Sequence, residues 1–195
     1  VPEGFKVLGH WMGVGGDNPN GKVQTIIVRD VSKNKDALRP PTSLAPIWDD
    51  HGSGANHDIE VFAMSAPAGY RSIGTLIRCD GGNGTGAGSV PPEPLDKKKL
   101  EQYACLRADL VDIGKITSLL WNDEGSGANK DFSAWGVTYV NPAKPDGSMR
   151  LSVGSFVGNG NHSKPEDQRA FVLRFWMPRD PVRLQEWMAR ASMAR

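Results

Sequence analysis

The chain predicts an all-β protein: a β-prism-like arrangement of three pseudo-repeated antiparallel sheets with a short C-terminal helix, a β-sandwich being the alternative architecture. Three observations predict it. Gly (23) and Pro (14) recur as punctuation between short apolar runs, which is how a chain of many strands joined by turns reads. A phrase opening on Pro-x-Gly and continuing as alternating apolar residues occurs three times. An eleven-residue loop phrase occurs twice. Strand content alone does not separate prism from sandwich, and the threefold count favours the prism.

The first element of each unit is the Pro-x-Gly strand: "PEGFKVLGHWMGV" from Pro2, "PAGYRSIGTLIRC" from Pro67 and a looser "PDGSMRLSVGSFVG" from Pro145. Pro before Gly marks a tight turn, and the period-two alternation after it marks a strand with one buried face. Each is followed by a polar connection and a returning strand, "KVQTIIVRDV", "EQYACLRADLV" and "QRAFVLRFWM".

The duplicated loop then follows "SLAPI" and "ITSLL" and leads into "IEVFAMS" and "FSAWGVTYV". It reads "WDDHGSGANHD" over Trp48–Asp58 and "WNDEGSGANKD" over Trp121–Asp131. A third copy is expected after "FVLRFWMP", but the chain reads "RDPVRLQEWMARASMAR" instead. Asp180 and Pro181 stand at helix-start positions, with Leu184, Trp187 and Met188 at helical spacing, so residues 179–195 are expected to form a helical tail on one end of the sheets. At 195 residues, a single domain over 1–195 is the default, and it can bury about 70% of its unfolded surface.

Lys plus Arg (23) nearly cancel Asp plus Glu (22), so no whole-chain field attracts nucleic acid or an acidic membrane, and no nucleic-acid partner is expected. No apolar run approaches the roughly 20 residues of a membrane-spanning helix, which reads as a soluble chain. Secretion is the favoured compartment on three grounds: Val1 in place of an initiator Met, sequons at Asn83 and Asn161, and a bridge between Cys79 and Cys105 if their strands are neighbours. The other reading of the two cysteines is a pair of buried thiols.

The loop carries the candidate site. Asp50 and Asp58 are eight residues apart, as are Asp123 and Asp131, and the glycines between them allow the positive φ that turns the chain back on itself. One reading makes the carboxylates braces for the Gly-Ser-Gly amides, with Trp48 or Trp121 packed beneath. A second makes each loop a cation site, Ca²⁺ first among the ions, with Asp50, Ser53, Asn56 and Asp58 in one copy and Asp123, Ser126, Asn129 and Asp131 in the other. The spacing, however, does not match an EF-hand. A third makes the loops sugar-binding edges, with Gly54 and Gly127 offering amides and Tyr70, Trp135 or Trp11 a stacking platform.

A hydrolase acting on polysaccharide is the alternative function: Asp49, Asp50, Asp58 and Glu60 gather with His51 and His57 in one stretch. Copy two replaces both histidines, Asp49 and Glu60, so what is repeated is not an acid–base set, and no catalytic residue is assigned. "GGNGTGAG" from Gly81 runs into Pro91, Pro92 and Pro94 where a phosphate loop needs a helix.

Together, "LLWNDEGSGANKDFSAW", "IWDDHGSGANHDIEVF", "PAGYRSIGTLI" and "CLRADLV" resemble the vacuolar protein sorting-associated protein 62 family, over roughly Pro2 to Met177. The resemblance implies a module similar to the β-prisms appended to membrane-attack-complex/perforin-type pore formers, where such a module recognises a target membrane or its glycans. The expected function is therefore non-enzymatic binding of a glycan or membrane surface through the two GSGAN loops. The oligomeric state is left open.

Overall fold

The computed structural model describes residues 1–12, 26–54, 58–80, 97–139, 148–153 and 155–176. Their strands, in chain order, are β1 (Lys6–Val7), β2 (Ile27–Val28), β3 (Leu38–Arg39), β4 (Ser43–Asp49), β5 (Asp58–Ser65), β6 (Tyr70–Arg71) and β7 (Thr75–Asp80). After the short helical turn α1 (Lys97–Leu100) come β8 (Cys105–Arg107), β9 (Val111–Ile113), β10 (Lys115–Asn122), β11 (Ser133–Thr138), β12 (Ser148–Leu151), β13 (Phe156–Asn159) and β14 (Phe171–Trp176). They form four three-stranded antiparallel sheets, β3–β8–β6, β4–β5–β7, β10–β11–β13 and β12–β14–β9, plus the ribbon β1–β2. No helix among the described residues is long and apolar enough to cross a membrane. The all-β, prism-like class expected from the sequence stands.

The sheets outnumber the three repeats because the Pro-x-Gly strands of the second and third repeats are divided. In each repeat the opening strand pairs with the returning strand: β1 with β2, β6 with β8, β12 with β14. In the second and third repeats the chain then crosses to another sheet, where β7 joins β5 and β13 joins β11, next to the strands that flank the duplicated loops. These two crossings and the end of β1 meet at the centre. Leu8, Ile73 and Val153, one from each repeat, share a buried cluster with Ala104, Leu106 and Val111. One or two residues further on, Gly9, Gly74 and Ser155 touch: a methyl group on Gly9 would lie 2.9 Å from Gly74 Cα and 3.2 Å from Ser155 Cβ. This triple junction is the threefold element that the repeats foreshadow.

Central strand β5 does not alternate, because both of its faces are covered. Val61 enters the cluster of Trp48, Phe132, Ala134 and Phe156, while Phe62 and Met64 enter another with Leu76. Ile116, Val137, Val157, Ala170 and Val172 complete the core between the β10 and β14 sheets.

The proposed Cys79–Cys105 bridge is corrected. The two residues lie in different sheets, Cys79 opposite Ile59 and Cys105 opposite Arg39, and Cys105 is a free, buried thiol. Burial pushes that thiol up to about 12, so it packs as a small hydrophobe. One of the three grounds for expecting secretion is thereby removed. The expected tail helix at 179–195, the sequon at Asn83 and the glycine run from Gly81 lie outside the described residues.

Candidate functional site

Each loop begins where its strand breaks register. β4 slips against β5 between Pro46 and Trp48, and β10 slips against β11 between Leu119 and Trp121. Both Trp rings lie under the loops: Trp48 stacks on Phe132 at 5.3 Å and meets Trp121 edge-on at 5.8 Å.

The two loops share one backbone plan. In the first, Asp50 N–H donates to the Ile59 carbonyl (3.1 Å) and Ser53 N–H to the Asp50 carbonyl (2.9 Å). In the second, Asp123 N–H donates to Phe132 (3.2 Å) and Ser126 N–H to Asp123 (2.8 Å). Gly52 and Gly125 hold the third turn position at φ 91° and 79°, which a type II turn reserves for glycine.

Bracing is present, with different donors from those expected. The buried Asp123 carboxylate accepts from Phe132 N–H (2.7 Å), across the mouth of the loop, and not from the Gly-Ser-Gly amides. Ser126 Oγ accepts from Ala128 N–H (3.1 Å), so this hydroxyl also serves the turn. Asp50 is buried in the same manner as Asp123.

The loops do not stand apart. Asn129 N–H donates to the His51 carbonyl (2.8 Å), Trp48 Nε1 donates to the Lys130 carbonyl (2.8 Å), and the Lys130 ammonium binds the Asp49 carboxylate at 2.5 Å. The Asn129 side chain lies so close over Gly52 that a Cβ there would sit 2.8 Å from its Oδ1. Copies one and two therefore form one face, on which Gly54, Gly127, Asn129, Lys130 and Asp131 are exposed.

A residue that the spacing did not indicate completes the acidic part of this face. His162 Nε2 lies 2.7 Å from Asp123 Oδ1, and its imidazole and the Asp123 and Asp131 carboxylates have ligand atoms all within 4.8 Å of one another. An Asx turn shapes the loop that carries it: Asn161 Oδ1 accepts from Ser163 N–H (2.8 Å) and Ser163 Oγ (2.5 Å). The sequon at Asn161 was the sole sequence mark on this loop, and nothing in it pointed toward Asp123.

Convergence of the outer aspartates is thus found for Asp123 and Asp131. Asn56 and the Asp58 side chain lie outside the described residues. Tyr70 is not brought to the face: it belongs to the β3–β8–β6 sheet, where its hydroxyl donates to the Asp36 carbonyl at 2.7 Å. Trp135 is half-buried on β11 and donates to Ser133 Oγ (2.8 Å), which in turn donates to the Asn161 carbonyl (2.5 Å), so it supports the His162 loop. Of the first-loop carboxylates, Asp49 is paired with Lys130 and the buried Glu60 with Arg78.

His162 has a raised pKa. The hydrogen bond to Asp123 is the main cause, and the charges of Asp131, Asp123 and Glu124 add to it. A raised folded-state pKa contributes stability that is complete below the unfolded value of about 6.5 and is lost as pH rises through the folded value. The expected result is a His162 imidazole that titrates above an exposed histidine by NMR, and falls back in Asp123→Asn. A melting temperature that declines no more steeply above about pH 6.5 in the parent than in His162→Gln would contradict this.

The sequence pattern of the vacuolar protein sorting-associated protein 62 family matches residues 1–176. The crystal structure of GNIP1Aa from Chromobacterium piscinae is similar in fold, with a TM-score of 0.66 and 21% identity, over 98% of this chain and 34% of that one. The chain thus spans about a third of the length of GNIP1Aa. No curated protein matches.

Proposed function

Because the chain belongs to the vacuolar protein sorting-associated protein 62 family, and its duplicated loops join into one face, we propose that it is a non-enzymatic recognition module that binds a glycan or membrane surface through that face. The observation that carries the reading is the pairing of the loops across repeats, Asn129 N–H to His51 and Lys130 to Asp49. A face whose two halves are cross-linked and backed by Trp48, Phe132 and Trp121 loses little conformational entropy on binding. Its exposed groups alternate donors and acceptors, Lys130 and the Asn129 amide beside Asp131, which is the set that sugar hydroxyls or lipid headgroups require.

A cation belongs to this proposal. Calcium, expected from the sequence, would use Asp123 and Asp131; the imidazole of His162 beside them suits zinc better, since calcium prefers oxygen alone. The hydrolase reading has less support, since Asp49 and Glu60 are already ion-paired.

A glycan array and a panel of neutral and anionic vesicles, each run with calcium, with zinc and with chelator, tests the reading. Retention on one surface class, lost in Lys130→Ala, is expected. Retention on none of them under any condition would remove the proposal, and reducing-sugar release by the parent protein would replace it with the hydrolase. Melting curves in the same ions report the cation separately, because an ion held only by the folded state raises the midpoint by mass action.

A further inference from the structure

A half-open groove of about 300 Å³ lies between the β4–β5–β7 sheet and strands β13 and β14. Ile47, Met64, Val157 and Phe171 give it an apolar lining, and among the described residues no carboxylate lines it. Two exposed arginines flank it. Arg169, on its rim, donates to the Asn159 side-chain carbonyl (2.9 Å) and the Gly158 main-chain carbonyl (3.0 Å). Arg71, beside it, stands 5.9 Å from the Phe171 ring centroid and donates to its own Tyr70 carbonyl (2.8 Å). All three acceptors are neutral, and among the described residues neither guanidinium has a carboxylate partner. Elsewhere in the fold Arg78, Arg107 and Arg150 are each paired with an acid, whereas exposed Arg39 also meets only neutral carbonyls; what sets Arg71 and Arg169 apart is their place beside an apolar trough.

We propose that this groove binds a small single-chain amphiphile ending in a carboxylate, its apolar body against Ile47, Met64 and Phe171 and its carboxylate between Arg71 and Arg169. The charge argument decides the class. Two positive groups held by neutral carbonyls beside an apolar trough favour an anion, and a guanidinium fork matches a carboxylate in two parallel hydrogen bonds. The volume is at the small end of ligand sites, which suits one short chain and excludes a two-chain lipid body. This site uses none of the exposed loop-face side chains; it is linked to that face by Asn159, which Arg169 holds and which also donates to Asn161 and Ser163 on the His162 loop, so Arg71 is the residue that tests the groove alone.

Calorimetric titration of the full chain with decanoate, decan-1-ol and inorganic phosphate tests it. Decanoate is expected to bind saturably, decanol about tenfold or more weaker, because it forfeits the charge-assisted bonds, and phosphate without saturation. Arg169 also ties Asn159 in place, so the decisive variant is Arg71→Gln, whose exposed guanidinium meets only its own backbone and the Phe171 ring; it should weaken decanoate about tenfold with a melting midpoint moved by no more than the small contribution of one exposed cation–ring contact. Ala63→Leu, which fills the groove, should abolish binding. No saturable decanoate binding, equal affinity for decanol, or an Arg71→Gln variant that binds as the parent does would each overturn the proposal.

Discussion

Replacing Phe132 with alanine will cost about 3–5 kcal/mol of stability, the range for deleting a fully buried aromatic ring. The ring is 0% exposed and sits between Trp48 and Trp121, with centroid separations of 5.3 and 6.0 Å. Its removal opens a cavity that stiff indoles on both sides fill poorly. The position adds to the cost: the Phe132 backbone is the far anchor of the second loop, exchanging hydrogen bonds with Asp123 at both its N–H and its carbonyl. Once the ring is gone, that anchor is free to shift, and the first loop, hung from the second through Asn129 and Lys130, follows it. In a domain of this size the melting midpoint should fall by roughly 10 °C. Amide exchange should quicken at Ser53 as well as at Ser126, which a purely local defect in the second loop would not produce. Leu119→Ala on β10, 45% exposed, is the control and should remain within about 0.5 kcal/mol of the parent. A Phe132→Ala cost below about 1 kcal/mol, well under the range for such a deletion, would mean that the aromatic cluster does not support the face.

Much of this was legible in the chain for a definite reason. A type II turn needs glycine at its third position, so Gly52 and Gly125 had to recur in register, and with them the flanking Asp and Trp. The matching bonds of Asp50 with Asp123 and of Ser53 with Ser126 follow from that repetition. The contact between copies was not legible, because it depends on how the β4–β5–β7 and β10–β11–β13 sheets are set against each other, which local propensity does not encode. His162 escaped for the same reason: it lies 39 residues beyond Asp123 and reaches it only because β13 pairs with β11. The cysteines show the opposite error. Two strand-like runs joined by one long connection suggested neighbours, but the second Pro-x-Gly strand divides between sheets, so β7 and β8 part.

That division predicts the second large effect. Neither Gly9 nor Gly74 has a positive φ, so alanine is allowed by the backbone at both and any cost is steric. At Gly74 the added methyl would stand 2.6 Å from Ser155 Cβ and 3.0 Å from its Oγ, with Gly9 Cα at 3.1 Å. The junction joins all three repeats, so relief requires moving whole sheets, and Gly74→Ala should cost about 1–3 kcal/mol, as overpacking of a tight core does. The clash is mostly with a side chain, which provides a test. Adding Ser155→Gly should restore most of the loss, less the hydrogen bond from Ser155 Oγ to the Ile73 carbonyl (3.2 Å) and about 1 kcal/mol for the extra chain freedom of glycine. At Gly9 the first obstacle is backbone, Gly74 Cα at 2.9 Å, so Gly9→Ala should be as damaging and should gain much less from Ser155→Gly. Urea midpoints of the five variants and the parent measure the difference as a double-mutant cycle. If Gly74→Ala is neutral, or if Ser155→Gly rescues both alanines equally, the three repeats do not close on this junction and the prism must be held together elsewhere.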